Sequence, residues 1–122
     1  MPIVDLEFIY ESGQETPRVL ASTLASVLGA VFGTPPGRTW VRVRVLPSDA
    51  YAENDRALAP DQLPVFITVL QAHWPAGNAM AEQILEVTRA AAQCLSIPPE
   101  RVHVQYAPPA AGRQAFGGKL VS

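Results

Sequence analysis

A proline follows directly on Met1. Inside a chain, a proline nitrogen is a tertiary amide without basicity. Removal of Met1, which a small second residue permits, would turn Pro2 into a secondary amine. An α-amino group titrates at roughly 7.7–8.0. Burial or a neighbouring cation favours its neutral form and lowers that value. An amine poised near the working pH suits general-base chemistry: it takes a proton from a carbon beside a carbonyl and returns it elsewhere. The rigid ring aims the lone pair. Arg42 and Arg44 stand two apart, so on a strand they share a face. There they can clamp a carboxylate in bidentate fashion, or pair with carboxylates such as Glu7 across the sheet or at a subunit contact. The two histidines, His73 and His103, have no paired acids near them in sequence, so no metal site is expected. The single cysteine, Cys94, excludes an internal disulfide and a cysteine-based zinc site, and fits a reducing cytosol. No Gly-x-Ser-x-Gly elbow supports Ser-His-Asp catalysis. Gly117–Gly118 reads as a hairpin turn, so no phosphate loop or dinucleotide fingerprint is present.

The elements that must position these groups come in two copies. The segment from Pro2 and the segment from Pro64 both begin with proline and enter a short apolar strand, Ile3–Ile9 and Val65–Leu70. A polar turn, a helix, a double proline and a second strand follow in each. The strands are read 62 residues apart and the later elements 63 apart, with Pro35 matching Pro98, Pro36 matching Pro99, Arg38 matching Arg101 and Val41 matching Val104. The first helix is expected to start with Thr16 as N-cap and Pro17 at the first helical position. It carries a stripe of Leu20, Leu24, Val27, Leu28 and Val31 and stops at Gly33. The second is capped by Asn78, with Met80, Ile84, Val87, Ala91, Cys94 and Leu95 as its stripe. The strand Thr39–Leu46 alternates, with Val41, Val43 and Val45 opposing Trp40, Arg42 and Arg44; later, Val102 and Val104 oppose His103 and Gln105.

Strand–helix–strand, twice over, predicts an α+β fold: two tandem βαβ units in one four-stranded mixed sheet, two helices on one face, and short hairpin strands. The chain is read as a single domain over 1–122, with pseudo-repeats 2–54 and 64–118 and a linker at 55–63. Pro64 is internal and cannot act as a base, so at most one of two pseudo-equivalent sites is expected to be active. Helices on one face leave the other bare, and its mixture of Trp40, arginines, His103 and Gln105 suggests covering by oligomerisation.

Composition narrows the classes. The 122 residues carry a net charge of −2, with 48% hydrophobic and 16% charged residues, an ordinary globular balance. No Lys/Arg run marks a nucleic-acid or membrane partner. The most apolar stretch, Val19–Phe32, is too short to span a bilayer and contains Ser22, Thr23 and Ser26. There is no signal-peptide pattern, and a cytoplasmic protein is expected.

The order of these features resembles the tautomerase superfamily: a proline after the initiator Met, a short strand, a capped helix, a double-proline turn, and a strand followed by a Gly-Gly hairpin. Pro99–Glu100–Arg101–Val102–His103–Val104–Gln105–Tyr106, then Gly112–Arg113–Gln114–Ala115–Phe116–Gly117–Gly118, is similar without gaps to the end of a 4-oxalocrotonate tautomerase subunit. The segment Arg101–Tyr106 also resembles a strand of macrophage migration inhibitory factor. The resemblance covers nearly the whole chain outside the linker. It implies a homotrimer of double βαβ subunits, active sites at subunit interfaces around the N-terminal proline, and no metal or organic cofactor. The small-molecule partner it implies is a carbonyl or enol acid.

The resemblance also places substrate-binding residues. The family's arginine after the double proline falls on Trp40 and His103, so Arg42 or Arg44 is expected in its place. His103 and Gln105 match a tyrosine and an asparagine that reach the proline from a neighbouring subunit, and both can hydrogen-bond an enolate. A family lysine before the double proline falls on Thr34. His73, on the loop with Trp74 after the third strand, is read as an acid or carboxylate ligand, or as a solvated loop histidine. Phe116 is read as an apolar wall, or as packing in the trimer contact. The function implied is that of a tautomerase using Pro2 as general base. Alternatives of the same fold are a dehalogenase, hydratase or decarboxylase of a small carboxylate, and a non-catalytic trimeric binding or scaffold protein.

Overall fold

Alternation of apolar and polar residues is clear in the strands Trp40–Pro47 and Val102–Tyr106, while Ile3–Tyr10 and Val65–Leu70 are mostly apolar. In the computed structural model, which describes residues Met1–Ser122, strands β1 (Ile3–Tyr10), β2 (Trp40–Pro47), β3 (Val65–Leu70) and β4 (Val102–Tyr106) pair in the order β2-β1-β3-β4. β1 runs parallel to β2, and β3 runs parallel to β4. The two halves meet through the antiparallel pair β1–β3, with Leu6 opposite Ile67. Parallel neighbours need crossovers, supplied by α1 (Ala21–Phe32) and α2 (Asn78–Leu95). A small hairpin, β5 (Ala115–Phe116) and β6 (Lys119–Leu120), follows. Its turn, Gly117–Gly118, has both residues at positive φ, as a type I′ turn demands. This is the mixed α+β architecture expected from the sequence.

The core lies between the helices and one face of the sheet. Val4, Leu6, Val65, Ile67, Val69 and Val102 point inward against Leu24 and Leu28 of α1 and Val87, Ala91 and Ala92 of α2. The opposite face exposes Trp40, Arg42, Arg44, Phe66, His103 and Gln105.

Four local expectations are corrected. Helix α1 starts at Ala21, and Thr16 caps nothing. Its hydroxyl faces that of Tyr10 instead, 3.4 Å away. Residues 15–20 are not helical; Pro17 and Val19 are half-buried while Arg18 and Leu20 are exposed, and Val19 packs on the core. The chain enters α1 through Leu20 in an extended conformation. Leu20, read as part of the helical stripe, is therefore 51% exposed. In α2 the cap is Gly77, and Asn78 is the first helical residue.

The repeat spacing differs from that expected. The ladder pair Ile3–Trp40 recurs as Phe66–His103, so the strands keep the 63-residue spacing of the later elements. The helix ends agree: Gly33 and Ser96 both close their helices in the left-handed conformation. Because side chains alternate faces, a spacing of 62 would turn one copy's core residues outward. Pro64 thus corresponds to Met1, and Val65 to Pro2.

Candidate active site

Three stretches converge where β1 begins. Pro2 is fully buried, and its carbonyl accepts a hydrogen bond from the Trp40 backbone N–H at 3.0 Å. Pro2 thereby extends the β1–β2 ladder by one residue. On its other side, the β1–β3 register, ending at Ile3–Leu70, runs on to set Pro2 opposite Gln71. The third stretch is the chain after β4. Ala107, Ala110 and Ala111 donate backbone N–H groups to the carbonyls of Val69, Gln71 and Ala72 at 2.9, 2.8 and 3.1 Å. The Trp74 indole N–H donates to the Ala107 carbonyl at 3.0 Å. This segment carries the chain past the end of the sheet to the β5–β6 hairpin. There the Phe116 ring meets Trp40 edge-on, with centroids 4.8 Å apart.

The electrostatics at this end are cationic. The Met1 amine is held below its usual value, first by burial and then by the positive charge of Arg38. Both effects penalise the ammonium form. Arg38 lies in the turn after Pro35–Pro36, two residues before β2. Reading the sequence singled it out only as a repeat match. The parallel register, which sets the start of β2 level with the start of β1, is what places it here.

The other candidates are distributed as follows. Phe116 joins this end through Trp40. His73 is exposed two residues beyond Gln71. Arg42 lies on the bare face, where its Nε and Nη2 donate to the two Asp5 carboxylate oxygens at 2.6 and 2.9 Å. Of the two readings of Arg42, the structure therefore shows carboxylate pairing, with Asp5 as the partner. Arg44 stands opposite Glu7 in the ladder and lines a shallow cleft with Asp5, Phe66, Thr68 and Gln105. Gln105 donates to the Thr68 hydroxyl at 2.9 Å, and His103 stacks obliquely on Phe66, 5.6 Å between centroids. Through the registers, Gln105 is level with Asp5 and His103 with Glu7. At about 3.3 Å per residue these levels lie roughly 10 and 16 Å along the sheet from Pro2. One chain thus brings together Pro2, Arg38, Gln71, Trp40 and Phe116, and leaves Arg42, Arg44, His103 and Gln105 apart from them.

No three His, Cys, Asp or Glu side chains lie together as a metal-binding group, and no helix is long and apolar enough to cross a membrane. The amino terminus, next to fully buried Pro2, thus lies under the influence of the Arg38 charge and is partly withdrawn from water.

No family model matches the sequence, and no curated protein does. Solved structures do match its fold. The wild-type asymmetric trimer of F6 fused 4-OT superposes with a TM-score of 0.70 at 18% identity, over 95% of this chain and 94% of that one. N1, a member of the cis-3-chloroacrylic acid dehalogenase family, gives 0.71 at 19%, over 98% and 83%. The macrophage migration inhibitory factor of Trichinella spiralis gives 0.70 at 14%, over 97% and 98%. The chain has the fold these proteins share, that of the tautomerase superfamily.

Proposed function

We propose that this chain, carrying the tautomerase-superfamily fold, is a member of that superfamily and isomerises a small keto–enol acid with Pro2 as its general base. The observation that carries this reading is the setting of Pro2: fully buried at the sheet end, where burial and Arg38 already depress the amine of the unprocessed chain. With Met1 removed, the same influences act on the Pro2 nitrogen. Its lone pair takes a proton from the carbon next to the substrate carbonyl, and the C–H electrons move into the enolate. The prolinium then returns the proton to another atom of the same conjugated system, so the base is regenerated and nothing is consumed. Arg38 supplies a charge for the substrate carboxylate at this end, whereas Arg42 is occupied by Asp5.

The reading includes a homotrimer. The bare face offers Phe66 and Trp40, 37% and 41% exposed, beside Arg44, His103 and Gln105. A neighbouring copy seated there would bring its own His103 and Gln105 toward Pro2 as enolate donors. The trimeric state of the F6 fused 4-OT with the same fold supports this arrangement.

The test is turnover of a simple enol such as phenylenolpyruvate by protein whose intact mass shows loss of Met1. Pro2→Ala should lower kcat by about 10²–10⁴-fold, the usual worth of a positioned base. Equal rates in both proteins would refute the role of Pro2.

A further inference from the structure

The Gln71 side-chain oxygen is buried and accepts no hydrogen bond from any group of the chain. A buried acceptor left unpaired costs free energy, and such groups ask for an explanation. Its position suggests one. Gln71 is the residue opposite Pro2 in the continued β1–β3 register. The Gln71 carbonyl is turned away from β1, toward Ala110, and the Pro2 carbonyl is turned away from β3, toward Trp40. Two facing residues with outward-turned backbones form the close, non-hydrogen-bonded kind of antiparallel pair, with Cα atoms about 4.5 Å apart. Alternation also sets both side chains on the helix-facing side, with Val4 and Leu6 in β1 and Ile67 and Val69 in β3. Directly opposed side chains in such a pair start about 4.5–5.5 Å apart at Cβ, and the prolyl nitrogen is part of the Pro2 ring, within the span of a glutamine side chain. In the unprocessed chain that nitrogen is the Met1–Pro2 imide, which has no hydrogen to give. Loss of Met1 creates the donor.

We infer that Gln71 is a positioning residue for Pro2, its Oε1 accepting a hydrogen bond from the Pro2 amine once Met1 is gone. The inference rests on the proposed role of Pro2 as a free amine and adds the group that orients it. A hydrogen bond donated by the ammonium form stabilises that form and raises the amine's pKa. Gln71 thus opposes burial and Arg38, and keeps the amine's pKa higher than those two alone would leave it. The other groups about the amine are few. Arg38 comes from the turn before β2, and His73 is exposed beyond Gln71. The C-terminal stretch contributes uncharged Ala110 and Ala111, while the Arg113 guanidinium donates to the carbonyls of Pro108 and Pro109.

The experiment is an NMR titration of ¹⁵N-proline-labelled protein, with Met1 loss checked by intact mass, comparing the parent with Gln71→Met and Gln71→Glu. In Gln71→Met the Pro2 pKa should fall by about one unit, the worth of one charge-assisted hydrogen bond. In Gln71→Glu it should rise, because a carboxylate replaces the amide. The acidic limb of the kcat/KM profile should move the same way in each variant. A residue needed only for packing would alter the melting temperature and leave the titration where it was. Unchanged titrations in both variants, or retention of Met1 in the parent, would overturn the inference. The readout needs no substrate, so it is separable from the catalytic reading: an inactive protein with shifted titrations keeps Gln71 and loses the tautomerase, and an active one with unshifted titrations does the reverse.

Discussion

At the scale of single residues, the proposed chemistry depends on charge placement around one nitrogen. Arg38 lowers the affinity of the amino terminus for a proton, and desolvation acts in the same direction with greater weight. Both effects raise the fraction of neutral base at a given pH. Removing the guanidinium reverses one of them. In processed Arg38→Ala protein the Pro2 pKa should rise, and the acidic limb of the pH–rate profile should move to higher pH. The KM for a carboxylate substrate should rise as well, because the same charge meets the carboxylate. A pH profile that stays put in the variant would separate Arg38 from the base. Arg42 has a different role. The Asp5 carboxylate grips its guanidinium and raises its pKa, but Arg42 and Asp5 are exposed enough for water and salt to weaken the pair.

At the scale of elements, α1 shows why local signals and packing can disagree. Thr16–Pro17 has the chemistry of a helix start, yet the chain there is not helical and Val19 packs onto the core. A cap contributes about 1 kcal/mol, and partial burial of a branched aliphatic side chain such as Val19 contributes an amount of the same order. Thr16 caps nothing, so Thr16→Ala should change stability by less than about 0.5 kcal/mol, as a surface substitution does. Leu24→Ala, at a fully buried site against the sheet, should cost about 2–5 kcal/mol. Urea denaturation of both variants checks the contrast, and a large loss in Thr16→Ala would show that the exposed contact with the Tyr10 hydroxyl matters to stability. Helix α2 is tied to the sheet by a polar contact too: the Tyr106 hydroxyl donates to the Gln83 Oε1, and burial pushes that phenol up to about 12.

At the scale of the whole molecule, the unpaired sheet face is the feature that a single chain leaves unresolved. It presents an exposed phenylalanine and tryptophan among arginines, a histidine and a glutamine. Mixed patches of this kind are typical of subunit contacts. The proposed trimer predicts a light-scattering mass three times the 13.1 kDa of one chain. Phe66→Glu would place a charge in that contact, and should return the protein to single-chain mass with loss of enol turnover. A wild-type protein that scatters as a monomer would remove both the trimer and the shared site.

The sequence by itself determined the elements and their order. Periodicity of two in Thr39–Leu46, periodicity near four along Leu24–Val31, the paired prolines and Gly117–Gly118 all report conformation from residues close in the chain. Secondary structure is read well from such local signals. Pro2 was legible as a candidate base for the same reason, since its chemistry follows from its place in the sequence. The tertiary structure decided what stands beside it. Arg38 reaches the amino terminus because β1 and β2 pair in parallel and in one register, and Gln71 faces Pro2 because β1 and β3 pair antiparallel in another. Ladder registers depend on which strand meets which, and a slip of one residue exchanges the faces. The two prolines at Pro2 and Pro64 looked equivalent for that reason. Pairing across the sheet shows that Val65 holds the place of Pro2, and that the second half of the chain has no counterpart to the proposed base.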